Sequence, residues 1–123
     1  YLHLINTHLQ SSFNRCKLHY QKTAIHQMNM IKNYISQHTM KECLIVGDFN
    51  LKEEYMDLFL KDNNEFKIKY NYNNLISFPG QNELLDYFIF YNNIFIEKNI
   101  DFKIFNNIYY SDHYPIMLTL KSL

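Results

Sequence analysis

The sequence predicts an α/β domain, and three observations predict it. Two short apolar runs, residues 1–8 and 43–46, flank a long segment whose apolar residues recur every three or four positions. Three later runs, 84–91, 100–105 and 116–121, are continuously apolar or alternate with period two, as strands do. Short polar motifs sit at or inside four of these runs.

Taken in order, residues 1–8 read as a strand. Ser11-Ser12-Phe13-Asn14 then offers helix N-cap candidates, because their side-chain oxygens can accept from the first free backbone N–H groups. From there to about His38, Tyr20, Ala24, Met28, Ile31 and Ile35 form one apolar face, with Lys17, Lys22, Asn29 and Lys32 mostly off it. A strand, a long helix and a second strand at 43–46 outline a crossover unit, which makes the two strands parallel. Residues 53–61 predict a short helix with Tyr55, Leu58 and Phe59 facing inward. Residues 62–82 are rich in Asn and Lys and broken by Phe78-Pro79-Gly80, which predicts loop. The last three strands are joined by short connections, so the C-terminal half should be antiparallel or mixed. No internal repeat and no linker divides the chain.

At 123 residues and 47% apolar content, the chain is one domain at most, with material for a single core. Twelve basic and twelve acidic residues balance, so the basic footprint expected of a protein that holds long duplexes is missing. Cys16 and Cys43 form neither a close pair nor a metal-type spacing. Cys43 reads as a buried thiol in a strand, which argues against a disulfide framework. No apolar run is long enough to span a bilayer, and no signal peptide is present. Nothing indicates a compartment or an obligate oligomer. The chain opens on Tyr1 in strand-like sequence, without an initiator Met, so it is expected to be a fragment.

The polar motifs carry the chemistry. Asn6-Thr7-His8-Leu9 ends the first run. Gly47-Asp48-Phe49-Asn50 follows Cys43-Leu44-Ile45-Val46. Ser111-Asp112-His113-Tyr114-Pro115 precedes the last strand. Open α/β sheets build their sites at such strand ends. Asp86 lies within Leu84-Leu85-Asp86-Tyr87-Phe88-Ile89-Phe90, where an unanswered carboxylate would be costly. Histidine is its natural partner. Singly, each motif also suits a plain role: Gly-Asp-Phe-Asn a turn, Asp112-His113 a loop dipeptide, His8 a locally bonded histidine. Together, four polar islands in four apolar strands point to an active site.

In order and approximate spacing, these four motifs resemble successive motifs of the endonuclease/exonuclease/phosphatase superfamily. The resemblance covers essentially the whole chain but about the C-terminal half of the family's domain, so residues 1–123 are expected to be a partial domain. It implies a two-sheet, DNase I-like α/β sandwich with helices outside both sheets. It also implies hydrolysis of phosphodiester bonds assisted by Mg²⁺, with Mn²⁺ as a substitute. Mg²⁺ prefers oxygen ligands, keeps several waters, and can polarise the phosphoryl oxygen and stabilise the leaving oxygen.

By that resemblance His113 is the general base on the attacking water, and Asp86 fixes its tautomer and raises its pKa. Asp48 and Asn50 hold the scissile phosphate, the water or a metal. Being two apart, their side chains are expected to project together from an extended strand end. Asp112 is the metal-side carboxylate. His8 bonds a phosphate oxygen, where a protonated imidazole would stabilise developing charge. The family's principal metal ligand, a Glu on an early strand, has no counterpart here, because Glu42, Glu53, Glu54, Glu65, Glu83 and Glu97 stand in other contexts. The isolated chain is therefore expected to be inactive.

Thr7-His8-Leu9-Gln10 and Tyr110-Ser111-Asp112-His113-Tyr114-Pro115 resemble the neutral sphingomyelinase branch, whose members cleave the head-group phosphodiester. Neutral composition favours a phospholipid over a nucleic acid, with possible contact to a membrane surface. The stretch 91–110 is short for the exposed hydrophobic hairpin of secreted bacterial sphingomyelinases. Tyr109, Tyr110 and Tyr114 fit a membrane interface or, more commonly, packing beside a strand. A Mg-dependent nuclease of the same superfamily is the alternative. It would need basic residues near the site, for which Arg15, Lys17 and Lys22 are candidates on what otherwise reads as a solvated helix face. An inactive binding domain is the third reading, opposed by the retained Asp48, Asn50, Asp86, Asp112 and His113. His3, His19, His26 and His38 read as solvated or locally bonded.

Overall fold

Strand pairing brings distant polar motifs into line. The computed structural model describes residues 2–11, 17–92 and 99–121. The elements run β1 (His3–His8), α1 (Lys17–Gln37), β2 (Cys43–Asp48), α2 (Glu53–Asp62), β3 (Phe66–Lys67), β4 (Asp86–Tyr91), β5 (Ile100–Ile104) and β6 (Ile116–Leu120). A 3-10 turn at Pro79–Gln81 precedes β4. The helix-cap residues proposed at 12–14, together with Arg15, Cys16 and Glu97, lie outside the described residues.

The first four strands and the last two make separate sheets. The larger has the order β1-β2-β4-β3, and β5 pairs with β6 in the smaller. As the crossover outline requires, β1 and β2 are parallel around α1. β4 then runs antiparallel to β2, and β5 antiparallel to β6. The class is α/β with a mixed sheet, as the sequence predicts.

Alternation along β2 and β4 gives the larger sheet two different faces. Cys43, Ile45, Tyr87 and Ile89 are fully buried in one core cluster with Ala24, Met28 and Ile35 of α1 and Met56 and Phe59 of α2. The opposite face carries Phe88, whose ring meets Phe102 of β5 edge-on with centroids 6.1 Å apart. Tyr70 stacks on Phe102 at 4.0 Å, and its hydroxyl oxygen accepts from Phe88 N–H at 3.0 Å. Helices thus cover one face of the larger sheet, and the small sheet packs on the other.

The helix ends follow from local chemistry. Glu53 and Glu54 open α2 and Lys61 closes it, which complements the helix dipole. After α1 the chain turns at Thr39, whose φ of 49° is left-handed. There Thr39 N–H donates to Ser36 O and Met40 N–H to Ile35 O, satisfying carbonyls the helix leaves open.

Two expectations need correction. Leu58 is 54% exposed, and Met56, with no exposure, takes the buried position, because the α2 stripe runs through Met56 and Phe59. The 62–82 stretch is not all loop: β3 pairs with β4 through Phe66 and Lys67. None of the described helices is long and apolar enough to cross a membrane.

Candidate active site

The last rung of the larger sheet carries the polar residues. In the β1–β2 register His8 lies opposite Asp48, and in the β2–β4 register Asp48 lies opposite Asp86. Residues opposite each other in a ladder share a face. His8, Asp48 and Asp86 therefore form a row on the face turned toward the small sheet, at the C-terminal end of the parallel pair. Gly47, one residue earlier, allows the approach. A Cβ there would lie 1.8 Å from Thr7 O, and its φ of 144° strains any L side chain.

His113 enters this row from the segment before β6. Its Nδ1–H donates to Asp86 Oδ2 at 2.7 Å, and its Nε2 stands 3.5 Å from Asp48 Oδ2. His8 Nε2 stands 3.4 Å from the same Asp48 oxygen. One ring face of His113 is held by Phe78, centroids 4.8 Å apart. His8 is largely solvent-exposed, whereas Asp48, Asp86 and His113 are each at least three-quarters covered.

Asn50 differs from expectation. β2 ends at Asp48, and Asn50 has a left-handed φ of 48°, so the two do not project together from an extended strand. Instead Asn50 N–H folds back to Asp48 Oδ1 at 2.9 Å, the turn geometry natural to Asp and Asn. The Asn50 side-chain amide donates to Leu9 O at 2.8 Å and its backbone carbonyl accepts from the buried Gln21 side chain, which anchors the turn to β1 and α1. Asp112 is exposed and accepts a hydrogen bond from Ser111. It acts on His113 through charge rather than through a bond.

A residue that sequence reasoning missed holds Asp86. Ser77 is fully buried, and its Oγ–H donates to Asp86 Oδ2 at 2.7 Å while accepting from Leu85 N–H and Asp86 N–H. A lone serine in an apolar, turn-like stretch carries no spacing signal that would single it out.

The electrostatics follow from this packing. Burial opposes protonation of His113, but the hydrogen bond and charge of Asp86, aided by Asp48 and Asp112, prevail and raise its pKa above the usual imidazole value. Burial also pushes the Asp48 carboxyl up. The Asn50 N–H opposes this, the charge of Asp86 adds to it, and His113 and His8 counter it.

Asp48, Asp86 and His113 each offer one ligand atom within 4.8 Å of the others, a spacing that can hold a metal ion. A hard divalent ion prefers oxygen. The Asp48 and Asp112 carboxylates take no part in the Asp86–His113 hydrogen bond. The donor set fits such an ion. Glu83 and Glu65 are paired with Lys52 and Lys32 and stand apart from this cluster.

The aromatic residues of this region are arranged differently from plain strand packing. Tyr109 is 75% and Tyr110 98% exposed; only Tyr114 is half-buried, with Tyr109 edge-on to it. A cavity of about 1120 Å³ is lined by Tyr70, Asn74, Pro79, Phe102, Tyr109 and Tyr114 among others. His3, His19, His26 and His38 are exposed, and His3 and His38 bond neighbouring carbonyls.

No family model and no curated protein matches the sequence. Solved structures do match. Over 98% of this chain, beta toxin from Staphylococcus aureus, an F277A, P278A mutant with bound magnesium ions, superposes with a TM-score of 0.69 at 23% identity. Cytolethal distending toxin from Actinobacillus actinomycetemcomitans gives 0.63 at 17%, and that from Haemophilus ducreyi 0.59 at 15%, each over 97% of this chain. The chain matches half of a DNase I-like fold. This agrees with the α/β sandwich that the resemblance of the four motifs implies. The chain spans about half the length of these structures: 53%, 49% and 48% of them.

Proposed function

We propose that this chain carries the hydrolytic face of a divalent-metal-dependent phosphodiesterase. The observation that carries the reading is His113, hydrogen-bonded through Nδ1 to Asp86 at 2.7 Å and facing Asp48 through Nε2 at 3.5 Å. The Asp86 bond fixes the tautomer with the proton on Nδ1 and leaves Nε2 as acceptor. A water bonded to His113 Nε2 from the open side of the row, beside Asp48 Oδ2, would lose its proton to His113 while its oxygen attacks phosphorus. The new P–O bond forms as the ester P–O bond breaks, and the leaving oxygen departs from the opposite side. His8, beside Asp48, is placed to bond a phosphate oxygen. Asn50 keeps Asp48 oriented through its backbone N–H. Asp48 and Asp112 would hold a Mg²⁺ or Mn²⁺ ion, which would neutralise phosphate charge and polarise the phosphoryl oxygen.

A phospholipid head group is the favoured substrate. The chain is neutral overall, and it presents exposed Tyr109 and Tyr110 close in sequence to His113. Tyrosine suits a membrane–water boundary because its ring is apolar and its hydroxyl polar. The test compares labelled sphingomyelin in detergent micelles with abasic, duplex and single-stranded DNA, using the full-length protein and Mg²⁺. Release of phosphocholine, at a rate that follows the interface offered, is expected. DNA cleavage without head-group release would replace the lipid with a nucleic acid. Turnover of neither would leave a binding domain.

A further inference from the structure

Ser77, on the segment before β4, grips both members of the Asp86–His113 pair. Ser77 has no exposure. Its hydroxyl has one proton to give and two lone pairs to fill, and all three are engaged. The proton goes to Asp86 Oδ2 at 2.7 Å, and the lone pairs accept from Leu85 N–H at 3.0 Å and Asp86 N–H at 3.2 Å. The same Asp86 oxygen receives His113 Nδ1–H at 2.7 Å. One carboxylate oxygen is therefore fixed from two sides, by the imidazole it orients and by a buried hydroxyl.

The backbone of Ser77 grips the other partner. Its carbonyl accepts from Tyr114 N–H at 2.7 Å, tying down the residue that follows His113. Phe78 packs on the His113 ring. Ser77 itself is held by a tight turn, in which Ser77 N–H and Phe78 N–H both donate to Glu83 O and Glu83 N–H returns to Phe78 O. The turn is closed by Pro79–Gln81 and by left-handed Asn82. The small sheet's entry to β6 and the start of β4 meet at this one serine.

We infer that Ser77 is a positioning residue for the proposed hydrolysis: its hydroxyl locks the Asp86 carboxylate in the orientation that aims His113 Nε2 at the reacting water. Ser77 acts through Asp86 and does not touch the substrate. A hydrogen bond to a charged group in a covered site is among the stronger ones. Its loss lets the carboxylate rotate away from the ring. This inference rests on the phosphodiesterase reading for its kinetic consequences but not for its geometry.

The experiment uses the full-length protein with Mg²⁺ and a labelled phosphodiester. Ser77→Ala should lower kcat by about tenfold or more, with KM changed less than about twofold, because the geometry lost belongs to the transition state. In an Asp86→Ala background the same substitution should cost nothing further, since its target is gone. Equal losses in both backgrounds, or a loss confined to KM, would overturn the inference. Thermal unfolding checks that each variant is folded. Where Ser77→Ala does not fold, Ser77→Cys, which keeps the bulk and weakens the donor, carries the comparison. An arm independent of activity observes the His113 Nδ1–H proton by NMR in metal-free protein. Its signal should broaden or move in Ser77→Ala or Ser77→Cys, and an unchanged signal overturns the inference even if the wild type hydrolyses no phosphodiester. A wild type without turnover but with a shifted signal sinks the function and keeps the role of Ser77.

Discussion

An aspartate inside an apolar strand needs an answer to its charge, and Asp86 receives two, from His113 and Ser77. The pairing with histidine was legible in sequence because the run Leu84-Leu85-Asp86-Tyr87-Phe88 leaves a carboxylate that only a polar neighbour can satisfy. Ser77 was not legible, because a serine among apolar residues near a turn is ordinary until folding brings it to Asp86. The pair has a pH signature. Since the folded-state pKa of His113 is raised, protonation favours the folded state. That contribution is complete below the ordinary histidine pKa and is lost as pH rises through the higher folded value. An NMR titration of metal-free protein should place the His113 midpoint above that of a free imidazole. Asp86→Asn should lower it, because burial then acts with less opposition. A midpoint unmoved by Asp86→Asn would mean that Asp86 does not set the charge of the imidazole.

At the scale of elements, register does the work. His8, Asp48 and Asp86 come from strands far apart in sequence, yet one ladder rung aligns them. A slip of one residue would turn each to the opposite face. Gly47 guards that register, because any Cβ there collides with the backbone of Thr7 in the opposing strand. Gly47→Ala should therefore destabilise the fold by about 3 kcal/mol or more, read from denaturant midpoints, through combined overpacking and strain. A midpoint within experimental error of wild type would show that β1 and β2 can separate without cost. The helices and longer strands were legible because apolar periods of 3.6 and 2 persist over enough residues. β3, two residues long, has no period to read. The Asp48–Asn50 turn was misjudged as extended because the strand period was carried one step past its end, where Asn50 takes a left-handed conformation.

For the whole molecule, two sheets face each other, and the polar row lies at one end of the face between them. The motif order made this architecture legible: strand, crossover helix, strand, then antiparallel strands, with site residues at β1, β2 and β4 and just before β6. What the sequence did not reveal is how surface aromatics are disposed, since Tyr109 and Tyr110 are exposed rather than packed. Whether a tyrosine packs depends on what folds over it, which local pattern does not encode. The central claim is that His113, oriented by Asp86, activates water for metal-dependent phosphodiester hydrolysis. The most direct measurement is the hydrolysis rate of the full-length protein on a labelled phosphodiester with Mg²⁺, with excess chelator, and for His113→Ala with Mg²⁺. Turnover should vanish in chelator and fall by about 10²–10⁴-fold in His113→Ala, with the unfolding midpoint little changed. Full activity in excess chelator, or a His113→Ala variant as fast as wild type, would contradict it.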